Sequence, residues 1–427
     1  MPALGCAWLS LSNVGGTSMR GNPIRGTRRL SAARVRAGRA LLALLVTFAA
    51  APATSAPRDR GTELDHALQE LVSMPGGPPG VIVLIQRGRH LRVHTAGVVE
   101  IGAARPPRPT DHMRIASVSK AFSGATVLSL VANGLLSLED TIGERLPDLP
   151  EGWHQITLRQ LLNHTSGLPD YTESDEFGEA VNESPTSAPP PRELLEFVED
   201  EPLGPGSQYR YSNSDNIVVA LMVESATGTT YAQALRRQVL RPLRLRRTSL
   251  PSVVDLPQPF THGYRVGSGQ PEDVSEMIAF GGWAWASGGI VSTPADLTRF
   301  VRGYVGGRLY RGRVRAEQFR FVRGGDSKPR GPGENAAGLG LFRYNTGCGT
   351  VYGHTGSIDG YTQLIAATRN GRRSVTFTIS TQISDEALPA LRHAQESAIC
   401  AALGKDGVRS HQRFRLAPAA ARPSDGG

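Results

Sequence analysis

The stretch IASVSKAFSG, residues 115–124, places a lysine in a run of small and apolar residues. Of the 47 lysines and arginines in the chain, only three are lysines. Ser117 precedes Lys120 by three positions, and residues three apart lie on one face of a helix. A serine hydroxyl becomes a good nucleophile when a neighbouring base takes its proton. Lysine can be that base when burial lowers its pKa, whereas arginine stays protonated in proteins. Ser117 and Lys120 are therefore candidates for a nucleophile and its base.

The segment YRYSNSDN, residues 209–216, supplies a second set of polar side chains. Tyr211 offers a phenol that can relay a proton. Asn213, two residues later, offers an amide that can bind a peptide-like substrate. Because Ser-x-x-Lys pairs arise often by chance, the order of such motifs along the chain carries more weight than any one of them.

A third segment, YGHTGSIDGY (352–361), reads as a strand with polar side chains. His354 and Thr355 supply hydrogen-bond donors. Gly356 has no side chain, so a substrate backbone could approach closely there.

Hydrophobic patterning predicts strands at both ends of the chain and helices between them. TELDHALQELV (62–72) and SDEALPALRHAQESAICAALG (384–404) have helical periodicity. GVIVLIQRGRHLRVHTAGVV (80–99) predicts two strands, and TQLIAATRNGRRSVTFTIST (362–381) predicts a hairpin turning at Asn370-Gly371. We expect an α/β (α+β) fold in which an antiparallel sheet from the N- and C-terminal segments is flanked by helices, beside a mainly helical insertion.

The net charge of +9 comes from the two ends of the chain. Residues 1–56 contain seven arginines and no acidic residue, and residues 404–427 contain five basic and two acidic residues. The remainder is close to neutral. No basic face for nucleic acid is expected.

The first 56 residues have the pattern of an export signal. Arginines precede the apolar run ALLALLVTFAAA (40–51), and small residues follow it. The run is shorter than the roughly 20 residues of a membrane-spanning helix, and retention as a membrane anchor is the alternative. We expect cleavage after Ala53, contact with the membrane only during export, and a secreted protein on the cell-wall side.

The remaining boundaries follow from the composition. Residues 57–403 form the predicted globular part, with residues 57–115 and 281–403 as its α/β part and 116–280 as its helical part. Residues 404–427 are a predicted disordered tail, since their apolar content is too low for a core.

Two cysteines, Cys348 and Cys400, remain once the leader is removed. An exported chain could pair them, and two free buried thiols are the alternative. The sequence has no CxxC or HExxH motif, so no metal site is predicted.

The order Ser-x-x-Lys, Tyr-x-Asn, His-Thr-Gly resembles the signature of penicillin-binding proteins and class C β-lactamases. Within that serine hydrolase family, the chain is most similar to the soluble exported D-alanyl-D-alanine carboxypeptidases of actinomycetes. The resemblance covers about residues 62–403 and includes the phrases ITLRQLLNHTSGLPDYT and SGGIVSTPADLTRF. It implies a β-lactamase/transpeptidase-like fold and a reaction that needs no cofactor.

The resemblance also implies roles for individual residues. Ser117 would attack the carbonyl of a D-alanyl-D-alanine-like amide, while Lys120 and Tyr211 handle the protons. Asn213 would bind the acyl-side amide, and His354 stands where related enzymes carry a lysine. The substrate-binding positions implied are Thr172, Trp283, Thr355, Gly356, Ser357 and Arg343.

Two structural features are implied as well. The backbone N–H groups of Ser117 and Ser357 would form an oxyanion hole, the kind of site that stabilises the transition state of acyl transfer. Cys348 and Cys400 match the positions of a disulfide in these enzymes.

The chain departs from its relatives at one position that matters for the substrate. Related carboxypeptidases carry, directly after GLGL, the arginine that receives the substrate carboxylate. Here GLGL (338–341) is followed by Phe342, and Arg343 comes one residue later. Side chains alternate between the faces of a strand, so Arg343 is expected to point away unless the strand bulges.

A D-alanyl-D-alanine carboxypeptidase is the favoured interpretation, with a small peptide or peptidoglycan stem peptide as substrate and β-lactams as covalent ligands. A serine esterase or another peptidase on the same scaffold is the alternative, although the absence of a GxSxG motif excludes an α/β-hydrolase esterase. A β-lactamase is less favoured because His354 replaces lysine. A catalytically dead wall-binding relative is disfavoured because Ser117, Lys120 and Tyr211 are all present.

Overall fold

Strands from the two ends of the chain meet in one sheet. The computed structural model describes residues 60–198, 204–206, 208–267 and 269–404. The predicted leader and all but the first residue of the predicted tail lie outside these residues, and the predicted domain boundaries stay predictions. The strands of the described residues are Gly80–Arg87 (β1), His90–Gly97 (β2), Met113–Arg114 (β3), Tyr264–Arg265 (β4), Glu272–Asp273 (β5), Val291–Ser292 (β6), Glu334–Gly338 (β7), Leu341–Thr346 (β8), Gly349–Ile358 (β9), Tyr361–Ala367 (β10) and Arg373–Ile379 (β11).

The helices are concentrated between β3 and β7. In the described part of the chain they are Arg60–Ser73 (α1), Ser119–Ala132 (α2), Ile142–Arg145 (α3), Leu158–Leu162 (α4), Asp175–Glu183 (α5), Ser214–Thr227 (α6), Tyr231–Leu235 (α7), Arg241–Leu243 (α8), Phe280–Trp283 (α9), Trp285–Gly288 (α10), Pro294–Val305 (α11), Gly312–Gln318 (α12) and Leu388–Leu403 (α13).

The large sheet has seven antiparallel strands in the order β2-β1-β11-β10-β9-β8-β7. The N-terminal hairpin joins the C-terminal strands through β1 and β11, where Val83 lies opposite Phe377. The turn predicted at Asn370-Gly371 is present, and Gly371 has a φ of +66° that favours glycine. This architecture confirms the predicted fold class.

Helices cover both faces of the sheet. Side chains alternate along β1, so Val81, Val83 and Ile85 pack with α1 and α13, while α11 packs on the opposite face. A second core cluster lies among the helices between β3 and β7. The candidate site is at the border of these two regions.

Helix α2 runs through the middle of the helical region. Its residues 119–130 are all buried, in agreement with their almost uniformly apolar sequence. Phe122 stacks on Phe300 of α11 with ring centroids 3.6 Å apart. The helix ends at Ala132, two residues before Gly134, whose φ is +73°. No helix in the described part of the chain is long and apolar enough to cross a membrane.

Candidate active site

Ser117 lies in a tight turn between β3 and α2. The turn, Ala116–Val118, is a single 3₁₀ turn in which Ala116 has a φ of +50°, a conformation that non-glycine residues rarely adopt. The backbone of β9 packs directly against it: a Cβ atom on Gly356 would lie 2.7 Å from the Ile115 carbonyl oxygen and 2.8 Å from the Ser117 nitrogen. The sequence predicts that a substrate backbone approaches closely at Gly356. In the structure the chain's own backbone fills this space and holds Ser117 beside β9.

Lys120 is buried one helical turn after Ser117. Its Nζ donates to Ser117 Oγ at 3.1 Å, to Asn213 Oδ1 at 2.5 Å and to the carbonyl oxygen of Ser287 at 2.9 Å. These contacts come from the turn before α2, from the residue before α6 and from α10. The amine is therefore held in position by three separate parts of the chain, with the candidate nucleophile as one of its partners.

Burial shifts the two titratable groups beside Ser117 in opposite directions. It lowers the pKa of Lys120 to about 7; the charges of Asp170 and Asp215 oppose the shift, while that of Lys328 adds to it. Burial raises the pKa of Tyr211, and a hydrogen-bond interaction with Ser117 offsets part of this rise. The amine can thus be neutral near pH 7, while the phenol keeps its proton.

Tyr211 approaches Ser117 and Lys120 from the helical side. Within the part of the chain that the structure describes, its buried hydroxyl has no hydrogen-bond partner of normal geometry, although it interacts with Ser117. The Nζ of Lys120 lies 5.1 Å from the centre of its ring, within the range of a cation–π contact. The structure therefore brings together Ser117, Lys120 and Tyr211.

Asn213 connects Lys120 to an acidic side chain that the sequence analysis did not assign. Its Nδ2 donates to Asp170 Oδ2 at 2.9 Å and to Thr172 Oγ1 at 3.1 Å. Asp170 in turn accepts the Thr172 hydroxyl at 2.8 Å. Because both ends of the Asn213 amide are bonded, its oxygen is fixed toward Lys120.

A pocket of about 280 Å³ opens beside Ser117. Its apolar wall is largely aromatic: the Phe177 ring meets Tyr171 edge-to-face at 5.0 Å and Trp283 at 5.7 Å. The pocket therefore suits an acyl group with an apolar side chain. The predicted site residues that line it are Ser117, Thr172, Asn213, Trp283 and Ser357.

The His-Thr-Gly segment forms the inner part of β9. Thr355 Oγ1 donates to the Pro329 carbonyl oxygen at 2.6 Å, and Ser357 Oγ lies 3.0 Å from Thr362 Oγ1. Burial lowers the pKa of His354 to about 3, so its imidazole is neutral at pH 7. His354 therefore cannot supply the positive charge that a lysine would carry at that position.

Arg343 does not line the pocket. Phe342 is fully buried, with its ring centre 5.0 Å from that of His354. On the opposite face of β8, the Arg343 guanidinium lies 5.2 Å from the centre of the Phe321 ring, and Arg343 is register partner to Tyr352. β8 continues in regular pairing through both residues, without a bulge that would turn Arg343 inward. The position of Arg343 in the structure therefore does not support the prediction that it binds the substrate.

The two cysteines are joined by a disulfide. Cys348 follows β8, and Cys400 lies in the last turn of α13, with Cα atoms 5.2 Å apart. The bond lies away from the pocket lining. Within residues 60–198, 204–206, 208–267 and 269–404, no group of three or more His, Cys, Asp or Glu side chains is placed to hold a metal ion.

Comparison with known proteins shows the family to which the chain belongs. The family profile described as "Beta-lactamase" matches residues 64–398. The chain belongs to this beta-lactamase family. Two curated relatives are "Penicillin-binding protein 4*" of Bacillus subtilis, 29% identical over 178 residues, which are 40% of this chain and 37% of the relative, and "Protein flp" of Staphylococcus aureus, 23% identical over 77% of this chain and 64% of the relative. The chain thus spans less than two thirds of the length of these curated relatives.

This beta-lactamase family member matches two solved structures over nearly their whole length. A D-stereospecific amidohydrolase from Streptomyces sp. superposes with a TM-score of 0.67 at 28% identity, over 77% of this chain and 98% of the other. A D-amino acid amidase from Ochrobactrum anthropi SV3 superposes with a TM-score of 0.69 at 23% identity, over 81% and 98% of the two chains. The second likeness concerns the fold alone. The family match and the Streptomyces likeness place the chain in a family of beta-lactamase-fold serine hydrolases.

This beta-lactamase family member also contains a buried polar group that the sequence analysis missed. His164 follows α4 with a φ of +59°, and its Nδ1 lies 2.7 Å from Asp215 Oδ2. Ser166 donates to the other oxygen of Asp215. The His164 ring lies 4.5 Å from that of Tyr211, so the group forms a polar floor beneath the phenol. The phrase LLNHTSG carried the only sequence signal, as part of the resemblance.

Proposed function

We propose that this chain is an exported serine hydrolase that forms an acyl-enzyme on Ser117 and removes the terminal residue from D-alanyl-D-alanine peptides. The observation that carries the proposal is the 3.1 Å contact between Ser117 Oγ and a lysine amine whose pKa is lowered to about 7 by burial. A neutral amine at that distance can accept the serine proton as the Oγ–carbon bond forms. The pocket beside it supplies space for the acyl side chain.

The opposite pKa shifts assign the remaining protons. Tyr211 keeps its proton at neutral pH, so it can donate to the leaving nitrogen as the carbon–nitrogen bond breaks. The proton held by Lys120 then neutralises the phenolate. A water molecule attacks the ester in the second step, and its proton returns by the same groups to Ser117 Oγ. Both steps end with neutral Lys120 and neutral Tyr211.

One relative supports a D-amino acid substrate, and the pocket lining supports an apolar acyl residue. The Streptomyces relative, at 28% identity, is named for D-stereospecific amide hydrolysis. The aromatic wall of the pocket, with Tyr171, Phe177 and Trp283, can pack against an apolar side chain on the acyl residue. An amidase or esterase that requires no carboxylate on the leaving group is the second candidate, because Arg343 lies outside the pocket.

Covalent labelling tests the nucleophile. A fluorescent penicillin is expected to label the wild type and the exposed-serine control Ser252→Ala, and to leave Ser117→Ala unlabelled. A D-alanyl-D-alanine peptide is expected to release D-alanine, while the L,L-stereoisomer is not cleaved. Labelling of Ser117→Ala, or cleavage of esters with no peptide hydrolysis, would reject the proposal.

Export is part of the proposal and rests on residues 1–56 alone. The full chain, expressed in an actinomycete host, is expected in the culture medium with an N-terminus at Pro52–Ser55, close to the predicted cut after Ala53. N-terminal sequencing of the secreted protein measures this directly.

A further inference from the structure

A second lysine stands beside the candidate site on a firmly anchored loop. The loop, residues 326–331, is tied to the sheet by Ser327, whose Oγ accepts the Tyr344 hydroxyl at 3.2 Å and the Gly331 N–H at 3.1 Å. The Pro329 carbonyl accepts Thr355 Oγ1 of β9 at 2.6 Å. Lys328 lies between these two anchors, so its backbone position is fixed relative to the His-Thr-Gly strand.

The side chain of Lys328 reaches across the mouth of the cleft. Its Nζ lies 5.7 Å from the centre of the Tyr211 ring, on the phenol that we assign as proton donor to the leaving group. The same Nζ lies 3.3 Å from Glu173 Oε1. Glu173 directly follows Thr172 of the pocket lining, so the ion pair joins the sheet side of the cleft to the helical side.

The ion pair shows that Lys328 already binds a carboxylate at this place. Both side chains are more than half exposed, 59% for Lys328 and 54% for Glu173, and exposed pairs of this kind are weak. Arg210 lies 3.8 Å from the other Glu173 oxygen, so Glu173 keeps a cationic partner when Lys328 moves. A carboxylate of a substrate can therefore replace Glu173 on Lys328.

Two other groups that might meet a substrate carboxylate do not. Arg343 is on the far face of β8, over Phe321. His354 is buried and neutral at pH 7. Lys328 pairs with the Glu173 carboxylate, lies close to Tyr211 and is outside the pocket that would hold the acyl side chain. In an amino acid the nitrogen and the carboxylate are both attached to Cα, so a leaving group protonated by Tyr211 carries its carboxylate into the neighbourhood of Lys328.

We propose that Lys328 binds the C-terminal carboxylate of the departing D-amino acid and so makes the enzyme prefer peptides with a free C-terminus. This inference rests on the proposed function and specifies its leaving-group subsite. Lys328 is a specificity-determining residue in this scheme; it does not take part in proton transfer.

Matched substrates measure the preference directly. The kcat/KM values for an acyl-D-alanyl-D-alanine and for the corresponding C-terminal amide are compared at pH 9, well above the pKa of about 7 that burial gives Lys120. We expect the acid-to-amide ratio to fall about tenfold in Lys328→Met and to be largely restored in Lys328→Arg. Arg330→Met, which removes a half-exposed cation from the same loop, is the control and should keep the wild-type ratio.

The outcomes separate the two proposals. Wild type that cleaves both substrates with no preference, or a ratio that falls in Arg343→Met and not in Lys328→Met, overturns the role of Lys328 and leaves the acyl-enzyme intact. Wild type that cleaves neither substrate rejects the proposed function and this subsite with it. An equal loss on both substrates in Lys328→Met also contradicts the inference, because a carboxylate receptor acts on one substrate alone.

Discussion

Single residues set the direction of proton transfer in this site. Burial favours the neutral form of both groups next to Ser117, which makes Lys120 a base and Tyr211 an acid at the same pH. An arginine at position 120 would have the charge and approximate reach of lysine but could not lose its proton. In the proposed reaction, position 120 therefore requires a lysine, although nearly all other basic residues of the chain are arginines.

The pKa of Lys120 predicts the pH dependence of acylation. The neutral amine is the active form, so the rate of penicillin acylation should rise with pH through about 7 and level off above it. At pH 6 the rate should be about a tenth of the plateau. Stopped-flow labelling from pH 5 to 9 measures the profile. Lys120→Arg should lose at least about 10³-fold; a flat profile in wild type, or an active arginine variant, would contradict this role.

Tyr211→Phe should distinguish proton donation from simple packing. The variant keeps the ring beside His164 and Lys120 but loses the hydroxyl. General acid catalysis contributes typically 10²–10⁴-fold, so peptide hydrolysis should fall by about that factor. A p-nitrophenyl ester has a leaving group that needs no proton, so its acylation should fall less than tenfold. Equal losses with both substrates would show that Tyr211 positions other groups.

Individual residues also show which contacts of the site the sequence predicts and which it does not. Spacing alone predicts that Ser117 and Lys120 meet, because one helical turn separates them. The other two partners of Lys120 lie 93 and 167 positions away along the chain, and no local pattern places them. No local pattern marks Lys328 in the sequence, because its proposed role depends on the folding of its loop next to Tyr211.

At the scale of elements, β9 and the turn that holds Ser117 act as one unit. The positive φ of Ala116 and the missing side chain of Gly356 let the two backbones touch. Alternation along β8 puts Phe342 and Arg343 on opposite faces, as its register with β9 shows. The periodicity of a strand was therefore a better guide to Arg343 than the position of arginine in related sequences.

Gly356→Ala tests this unit. The added Cβ would lie 2.7–2.9 Å from three backbone atoms around Ser117, and backbone cannot move aside cheaply. Overpacking of this kind costs about 1–3 kcal/mol of unfolding free energy. The acylation rate should fall as well, because Ser117 moves. Gly178→Ala is the control: its Cβ meets nothing within 4 Å, and alanine favours the helix by about 1 kcal/mol. Denaturant unfolding and penicillin labelling measure both effects, and wild-type behaviour of Gly356→Ala would refute the close packing.

At the scale of the whole molecule, strands that are far apart in the sequence pair in one sheet. The sheet is complete only when β1 pairs with β11, near residue 375, because β2 is joined to the sheet through β1 alone. Patterning of strands at both ends and helices between them predicted this architecture. The position of the site at the border of sheet and helices has no such signal, because contacts between distant segments leave no local periodicity in the sequence.

The disulfide between Cys348 and Cys400 should contribute to the stability of the whole molecule without affecting catalysis. It closes a loop with a sequence separation of 52 residues and joins the end of β8 to α13, and neither cysteine lines the pocket beside Ser117. In the chain-entropy treatment, closing a loop of this size stabilises the fold by about 4 kcal/mol. The double variant Cys348→Ala/Cys400→Ala should therefore unfold at lower denaturant, while its acylation rate at 25 °C stays near that of wild type. A reducing agent should lower the unfolding midpoint of the wild type by a similar amount. It should leave the midpoint of the double variant unchanged. An unchanged unfolding midpoint in the double variant would show that the bond adds nothing to the packing of α13.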